Sequence, residues 1–297
     1  SSYLDKYVFD NLYPRTNGFV SMSYGGWGTV ATSNDFPTPT NQEYITILGG
    51  PHTASNGMAT IATSFSASMQ YDLSTKRGSS LAFDLASSGS TVEFWLKKNQ
   101  FFTSPSVKNE VVFDLSNGGN YSSHEQSRLV LYLVSGSSTT TTPFKVTIMS
   151  GSVGVSTTTQ TLDVGSSSDI SQATLIDGTW RHFALTLKGN QAKFYVNGNL
   201  STQTTLGATY GDSTGSLNAR LGALQSPVAG LYEAGGGKLA AAMDEFRYWK
   251  TERTGRQISN DWFIPVGGGT NNSTANKDLG VYFKFNEGVT GVAATDS

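Results

Sequence analysis

Residues 177–199 read DGTWRHFALTLKGNQAKFYVNGN, a run that alternates apolar and polar side chains on both sides of a Gly-Asn pair and closes on an Asn-Gly. Successive side chains of an extended strand point to opposite faces. Phe183, Leu185 and Leu187 therefore form one face before the turn, and Ala192, Phe194 and Val196 form a matching face after it. The stretch predicts a β-hairpin. Asn197-Gly198 supplies the positive φ angles of a second tight turn, and Leu200 opens the next segment. The same alternation sends Trp180, Arg181 and His182 to opposite faces in turn, so they read as scaffold rather than as a chemical cluster.

Working outward, residues 67–250 hold a series of similar runs: SLAFDL, TVEFWLK, EVVFDL, RLVLYLV, FKVTIM, WRHFALTL, AKFYVNG and AAAMDEFRYW. Each is rich in β-branched and aromatic residues and is bounded by Gly, Ser, Asn or Asp, as strands are. EYITIL is the clearest strand upstream, and LGVYFKFNEG restarts one near the end, with Val281, Phe283 and Phe285 on one face. Regular spacing of short strands points to an all-β sandwich or barrel. One helix of one or two turns is expected in TERTGRQISNDWF, residues 251–263, where Ile258 and Trp262 share a face and Gly255 weakens the pattern. The tracts SSGSSTTTTPF, GSVGVSTTTQT and VGSSSDIS read as solvated β-edges and loops, or as a glycan-facing surface.

Composition narrows the function classes. Charged residues make up 14% of the 297 residues, against about 25% in typical domains, and the net charge is −2. Nucleic acid and anionic membrane both need clustered positive charge, so neither is an expected partner. With no Cys there is no disulfide and no thiolate metal site, and stability must come from the core. No apolar run approaches the roughly 18 residues of a spanning helix. SSYLDKYVFDNLYP lacks the basic-then-apolar pattern of a signal peptide, and the closing FKFNEGVTGVAATDS reads as chain that continues into a further segment.

Taken in order, TVEFWLKK, EVVFDLSNGG, DGTWRHFALTLKGNQAKFYVNG and GKLAAAMDEFRYWKTERTGRQI resemble the laminin G-like jelly-roll module of the concanavalin A-like lectin superfamily, which pentraxins share. The resemblance covers about residues 67–263. It implies a two-sheet antiparallel jelly-roll sandwich with irregular extensions: residues 1–66 as an N-terminal docking segment, and 264–297 as a linker and the start of a further unit. SSYLDKYVFDNLYPRTNGF and LGVYFKFNEG are in turn similar to segments flanking such modules in large structural proteins of tailed bacteriophages. That second resemblance implies a virion location, other virion subunits as partners and an oligomeric assembly. The aromatic run Tyr3, Tyr7, Phe9, Tyr13 and Phe19 would be its docking element, since aromatic anchors dominate such contacts.

Glycoside hydrolases related to this fold carry two carboxylates at alternate positions of one strand. No Glu-x-Asp-x-Glu run is present; Glu93, Asp244 and Glu245 are the nearest candidates, and adjacent strand residues such as Asp244 and Glu245 point apart. His52, His124 and His182 lack ligand spacing, His182 reads as a half-buried strand histidine, and no Gly-x-Ser-x-Gly elbow exists. No catalytic residue is expected and the chain reads as non-enzymatic. Members of the superfamily bind calcium at the sandwich rim. Asp244 matches the Asp of the family's Asp-Glu-x-Arg-x-Trp pattern, which implies a metal position; alternatively it caps a turn or pairs with Arg247. Trp95, Trp180, Trp249 and Trp262 lie in strand or helix motifs and read as packing. Trp27, in the Gly-rich YGGWGT, is the candidate ligand-binding residue, exposed for stacking on a sugar or else plugged against the sandwich. Sequons stand at Asn120, Asn199, Asn271 and Asn272.

The expectation is a non-enzymatic lectin-like module of a phage virion protein, serving assembly or attachment to surface glycans. An extracellular carbohydrate-binding module and a glycoside hydrolase are the alternatives.

Overall fold

The hairpin forms as its alternation predicts, as β8 (Arg181–Lys188) and β9 (Gln191–Val196), with Phe183 opposite Val196, Leu185 opposite Phe194 and Leu187 opposite Ala192. Asn197 and Gly198 take φ of 48° and 77°, the left-handed pair a tight turn requires. The computed structural model describes residues 45–48, 64–67, 81–101, 109–117, 127–135, 142–150, 158–208, 210, 217–224, 237–266 and 277–285, the first two stretches as backbone only. Trp27, the aromatic run from Tyr3 to Phe19, His52, His124 and the sequons at Asn120, Asn271 and Asn272 lie outside the described residues.

Two antiparallel sheets pack face to face. The seven-stranded sheet runs β1 (Ile45–Leu48), β12 (Ala240–Trp249), β3 (Ser90–Lys97), β8, β9 and β10 (Asn199–Thr205), with β13 (Leu279–Phe283) also pairing with β12. The six-stranded sheet runs β2 (Ser64–Ala67), β11 (Leu217–Leu221), β4 (Asn109–Ser116), β5 (Arg128–Val134), β6 (Phe144–Ser150) and β7 (Thr158–Val164). Between them lies one apolar core, to which Phe94, Phe183, Phe194, Phe113, Leu131, Phe144 and Phe246 each contribute a side chain with no exposed surface. The rings of Phe144 and Phe183 stand 4.7 Å apart, within the range of favourable tilted pairs. Val281, Phe283 and Phe285 join the same core from β13 and its end. β1, most of β2 and β13 lie outside residues 67–263, yet they hydrogen-bond to strands inside that interval.

SLAFDL does not form a ladder strand. A single bridge joins Asp84 to Gly89, which has φ of 78°, and the chain turns back between them. The alternation still places Leu81, Phe83 and Leu85 in the core, because burial needs only the facing side chains, while isolated bonds such as Gly189 N–H to the Leu85 carbonyl at 2.6 Å hold the backbone.

The Ser/Thr tract over residues 158–164 is an edge strand, mostly solvated. It is stitched to the other sheet by side chains: Gln160 accepts from Gly207 N–H at 2.8 Å, and the Thr202 hydroxyl accepts from Gly165 N–H at 2.8 Å. A short helix α1 (Gln172–Leu175), not expected from periodicity, is nucleated by the Ser171–Thr174 capping box. The expected helix is α2 (Gly255–Asp261). Gly255 does not weaken it, because Thr254 is the N-cap, in a capping box with Gln257, and Gly255 is only the first helical residue.

Candidate functional site

α2 and the residues after it lie over the outer face of the seven-stranded sheet, where Glu93, Trp95, His182, Ala184, Tyr195, Arg247 and Trp249 project away from the core. Ile258 of α2 packs on Ala184 and Tyr195. Trp262, half-buried, stacks toward Trp95 at 5.4 Å and toward His182 at 6.0 Å. Its indole also rests on the hairpin turn, so closely that a Cβ on Gly198 would stand 2.3 Å from Trp262 Cδ1. The Ser259 hydroxyl donates to the Gly198 carbonyl at 2.6 Å.

Beneath this cover lies an ionic cluster whose strand members are buried, while the Asp261 side chain at its edge is 46% exposed. Glu93 is its centre: Oε1 accepts from Arg253 Nη1 at 2.9 Å, while Oε2 faces Arg247 Nη1 at 3.7 Å and His182 Nε2 at 3.4 Å. Arg247 also donates to Glu245 Oε2 at 2.7 Å and to the Ile264 carbonyl at 2.7 Å. Arg253 reaches on to Asp261, and Tyr282 of β13 donates to Glu245. The Arg253 guanidinium lies 4.3 Å from the centre of the Trp249 ring, a cation–π contact.

Burial pushes the Glu93 carboxyl up, but His182, Arg253 and Arg247 outweigh it and hold the group at about 2. Burial dominates at His182 and pushes the imidazole below the usual histidine range. Arg247 is desolvated as well, yet Glu245 and Glu93 raise it further above its already high value.

These contacts correct three expectations. His182 is fully buried, and a carboxylate does face it, supplied by the neighbouring strand β3 rather than by local spacing. Strand alternation fails at Asp244 and Glu245: the register of β12 on β3 shifts between Asp244 and Arg247, and Glu245 takes φ of 49°. Both carboxylates are consequently buried, at 0% and 3% exposure. Arg247 pairs with Glu245 and Glu93, and Asp244 Oδ1 accepts the Glu245 N–H at 2.7 Å, a cap on the bulge. Trp180, Arg181 and His182 separate as expected: Arg181 donates two hydrogen bonds to the Asp177 carboxylate, from Nη1 to Oδ1 at 2.8 Å and from Nη2 to Oδ2 at 2.6 Å, away from His182. Trp95, Trp180 and Trp249 are buried packing residues.

Glu93 and His182 form a facing carboxylate and imidazole, with 0% and 1% exposure and two guanidiniums around the carboxylate. Among the described residues no group of three or more His, Asp or Glu side chains could hold a metal ion, and Asp244 Oδ1 caps the bulge. Arg253, Asp261 and Tyr282 were not singled out in the sequence. The one local signal was a lone charge, Glu93, at the centre of the apolar run TVEFWLK, which demands buried partners.

Among the described residues, two further buried ion pairs lie elsewhere. Lys98 Nζ donates to Glu110 Oε2 at 2.6 Å and to the Ala240 carbonyl at 2.7 Å, tying β4 to the seven-stranded sheet. Arg128 grips Asp114 through Nε and Nη2 at 2.8 and 2.6 Å on the six-stranded sheet.

The laminin G family model described as the Concanavalin A-like lectin/glucanases superfamily matches residues 73–259, and the chain belongs to this family. Solved structures with a similar fold include the carbohydrate-binding module CBM40 of the Ruminococcus gnavus IT-sialidase, at 15% identity over 75% of this chain and 97% of that one, with a TM-score of 0.41. The SAP-like pentraxin of Limulus polyphemus matches at 14% identity over 60% of this chain and 70% of that one, with a TM-score of 0.37. Domains LG4-5 of the mouse laminin alpha1 chain match at 14% identity over 59% and 40%, with a TM-score of 0.35. No curated protein matches the chain.

Proposed function

We propose that the chain is a non-enzymatic, lectin-type binding module of a tailed-bacteriophage virion structural protein, engaging surface glycans through loops held at the rim of the sandwich. The observation that favours the non-enzymatic reading is made among the described residues: five carboxylates of β3, β4 and β12, Glu93, Glu110, Asp114, Asp244 and Glu245, are each 3% exposed or less. They are committed to buried guanidinium, ammonium or backbone partners, whereas hydrolysis of a glycoside needs two carboxyl groups facing an open cleft. Membership of a superfamily of lectins and glucanases favours a saccharide as the ligand class. The virion setting is supported by the similarity of the flanking segments to those around such modules in phage structural proteins, and calcium, if it takes part, would be held by rim loops rather than by Asp244.

The full chain is to be applied to a glycan array with and without a chelator, and the retained glycans assayed for cleavage. Binding without release of reducing ends is the expected result, and turnover overturns the non-enzymatic reading. An antibody against the chain should label purified particles of the encoding phage in electron micrographs. Unlabelled particles beside free, sugar-binding protein in the medium would favour an extracellular module instead.

A further inference from the structure

We infer that His182 makes the cover formed by residues 253–266 acid-labile, so that acidification lifts α2 and Trp262 from the outer face of the seven-stranded sheet while the sandwich stays folded. The inference rests on the geometry of the cluster and is independent of the ligand reading above.

His182 is 1% exposed, and neither ring nitrogen makes a hydrogen bond: Nδ1 has no partner, and Nε2 lies 3.4 Å from Glu93 Oε2. An imidazolium has two N–H donors and needs acceptors for both. Glu93 Oε2, 3.4 Å away and itself without a hydrogen bond, is open to the Nε2–H, whereas Nδ1 has no partner. On β3, Glu93 faces Arg253 and Arg247; on β12, Glu245 is taken by Arg247 and by Tyr282 of β13; on α2, Asp261 is taken by Arg253. A proton on His182 would therefore place a third cation against one carboxylate, with two arginines close by and one N–H unsatisfied. Trp262, from the cover, stands 6.0 Å from the ring, centroid to centroid.

The closed form thus holds the neutral ring, while an opened form titrates as an ordinary histidine near 6.5. The open form binds more protons, so closure weakens as pH falls through about 6.5 and is unaffected above it. The cover is held by Ile258 on Ala184 and Tyr195, Trp262 on Trp95 and the turn, the Ser259 hydroxyl on the Gly198 carbonyl, Arg247 on the Ile264 carbonyl, and Arg253 on Glu93, and none of these contacts is a strand ladder, so the cover can part from the sheet without unpairing a strand.

The test is hydrogen exchange of the full chain between pH 5 and pH 8, corrected for intrinsic rates, comparing peptides over residues 254–264 with peptides over β5. In the wild type, protection of 254–264 should fall by up to roughly ten-fold for each pH unit below about 6.5, while β5 holds. In His182→Gln and in His182→Phe that pH slope should vanish. Equal slopes in wild type and variants overturn the inference, as does parallel loss in β5, which would mean global destabilisation. Should neither variant fold, the ring proton resonances of His182 decide: a midpoint at or above the free-histidine value with 254–264 still protected overturns it, and proton uptake concurrent with loss of protection supports it.

Discussion

Replacing Gly198 with alanine isolates what the hairpin turn does for the cover. Gly198 sits at φ of +77°, and an added Cβ would meet Trp262 Cδ1, Nε1 and Cγ at 2.3, 2.6 and 2.9 Å. The backbone conformation alone costs an L-residue about 1–2 kcal/mol. Because Cγ is among the atoms struck, the indole must swing from its base, and overpacking of this kind adds about 1–3 kcal/mol. The displaced ring also loses its contacts with Trp95 and His182, worth roughly 0.5–1.5 kcal/mol for an aromatic pair. A total of about 2.5–6.5 kcal/mol follows from these contributions. Gly189 is the internal control: its φ is +57°, and nothing lies within 4 Å of its added Cβ, so Gly189→Ala bears the backbone cost only. Urea unfolding followed by circular dichroism should therefore separate the two variants by about 2–4 kcal/mol. In a Trp262→Ala background the excess at Gly198 should collapse to the Gly189 value. Equal destabilisation by both substitutions, or an excess that survives loss of Trp262, would refute the close approach.

Glu93→Gln leaves Arg253 and Arg247 without their shared carboxylate and should destabilise the fold by about 3–5 kcal/mol in chemical denaturation. Since Glu93 is held at about 2 in the folded chain, the wild type should lose this stabilisation progressively as pH falls below about 4.5, and the variant should lack that acid limb. Lys98→Met strands Glu110 beside the Ala240 backbone and should cost about 3–5 kcal/mol, with much of it recovered in Lys98→Met/Glu110→Leu, as read by the thermal midpoint. Thr254→Ala removes the N-cap of α2 and should cost about 1 kcal/mol, measured by urea unfolding and accompanied by faster exchange at Ile258 and Trp262.

The strands were legible because burial on one face leaves a two-residue period in the sequence. That held for β8 and β9 residue by residue, and even for SLAFDL, where the facing side chains entered the core without a ladder. It failed at Glu245, where a bulge breaks the period, and no local pattern marks a bulge inside DEFRYW. The ionic cluster was illegible for another reason. Its members, Glu93, His182, Arg247, Arg253 and Tyr282, come from five places in the chain and meet only through strand register and the return of α2 over the sheet. The short strands β2, β10 and β11 were missed because Ser, Thr, Asn and Gln in them mimic loop composition.

β1 and β13 pair with the same edge of β12, end to end and in the same direction, meeting at the Asp244–Glu245 bulge. Ile45 and Phe283 therefore stand at neighbouring points along one strand, opposite Met243 and Phe246. Tension applied through the flanking chain would be borne by β12 alone, peeling four residue pairs of β1 and four of β13 outward from the bulge. Among the described residues, β12 is the strand with which β1 and β13 both pair.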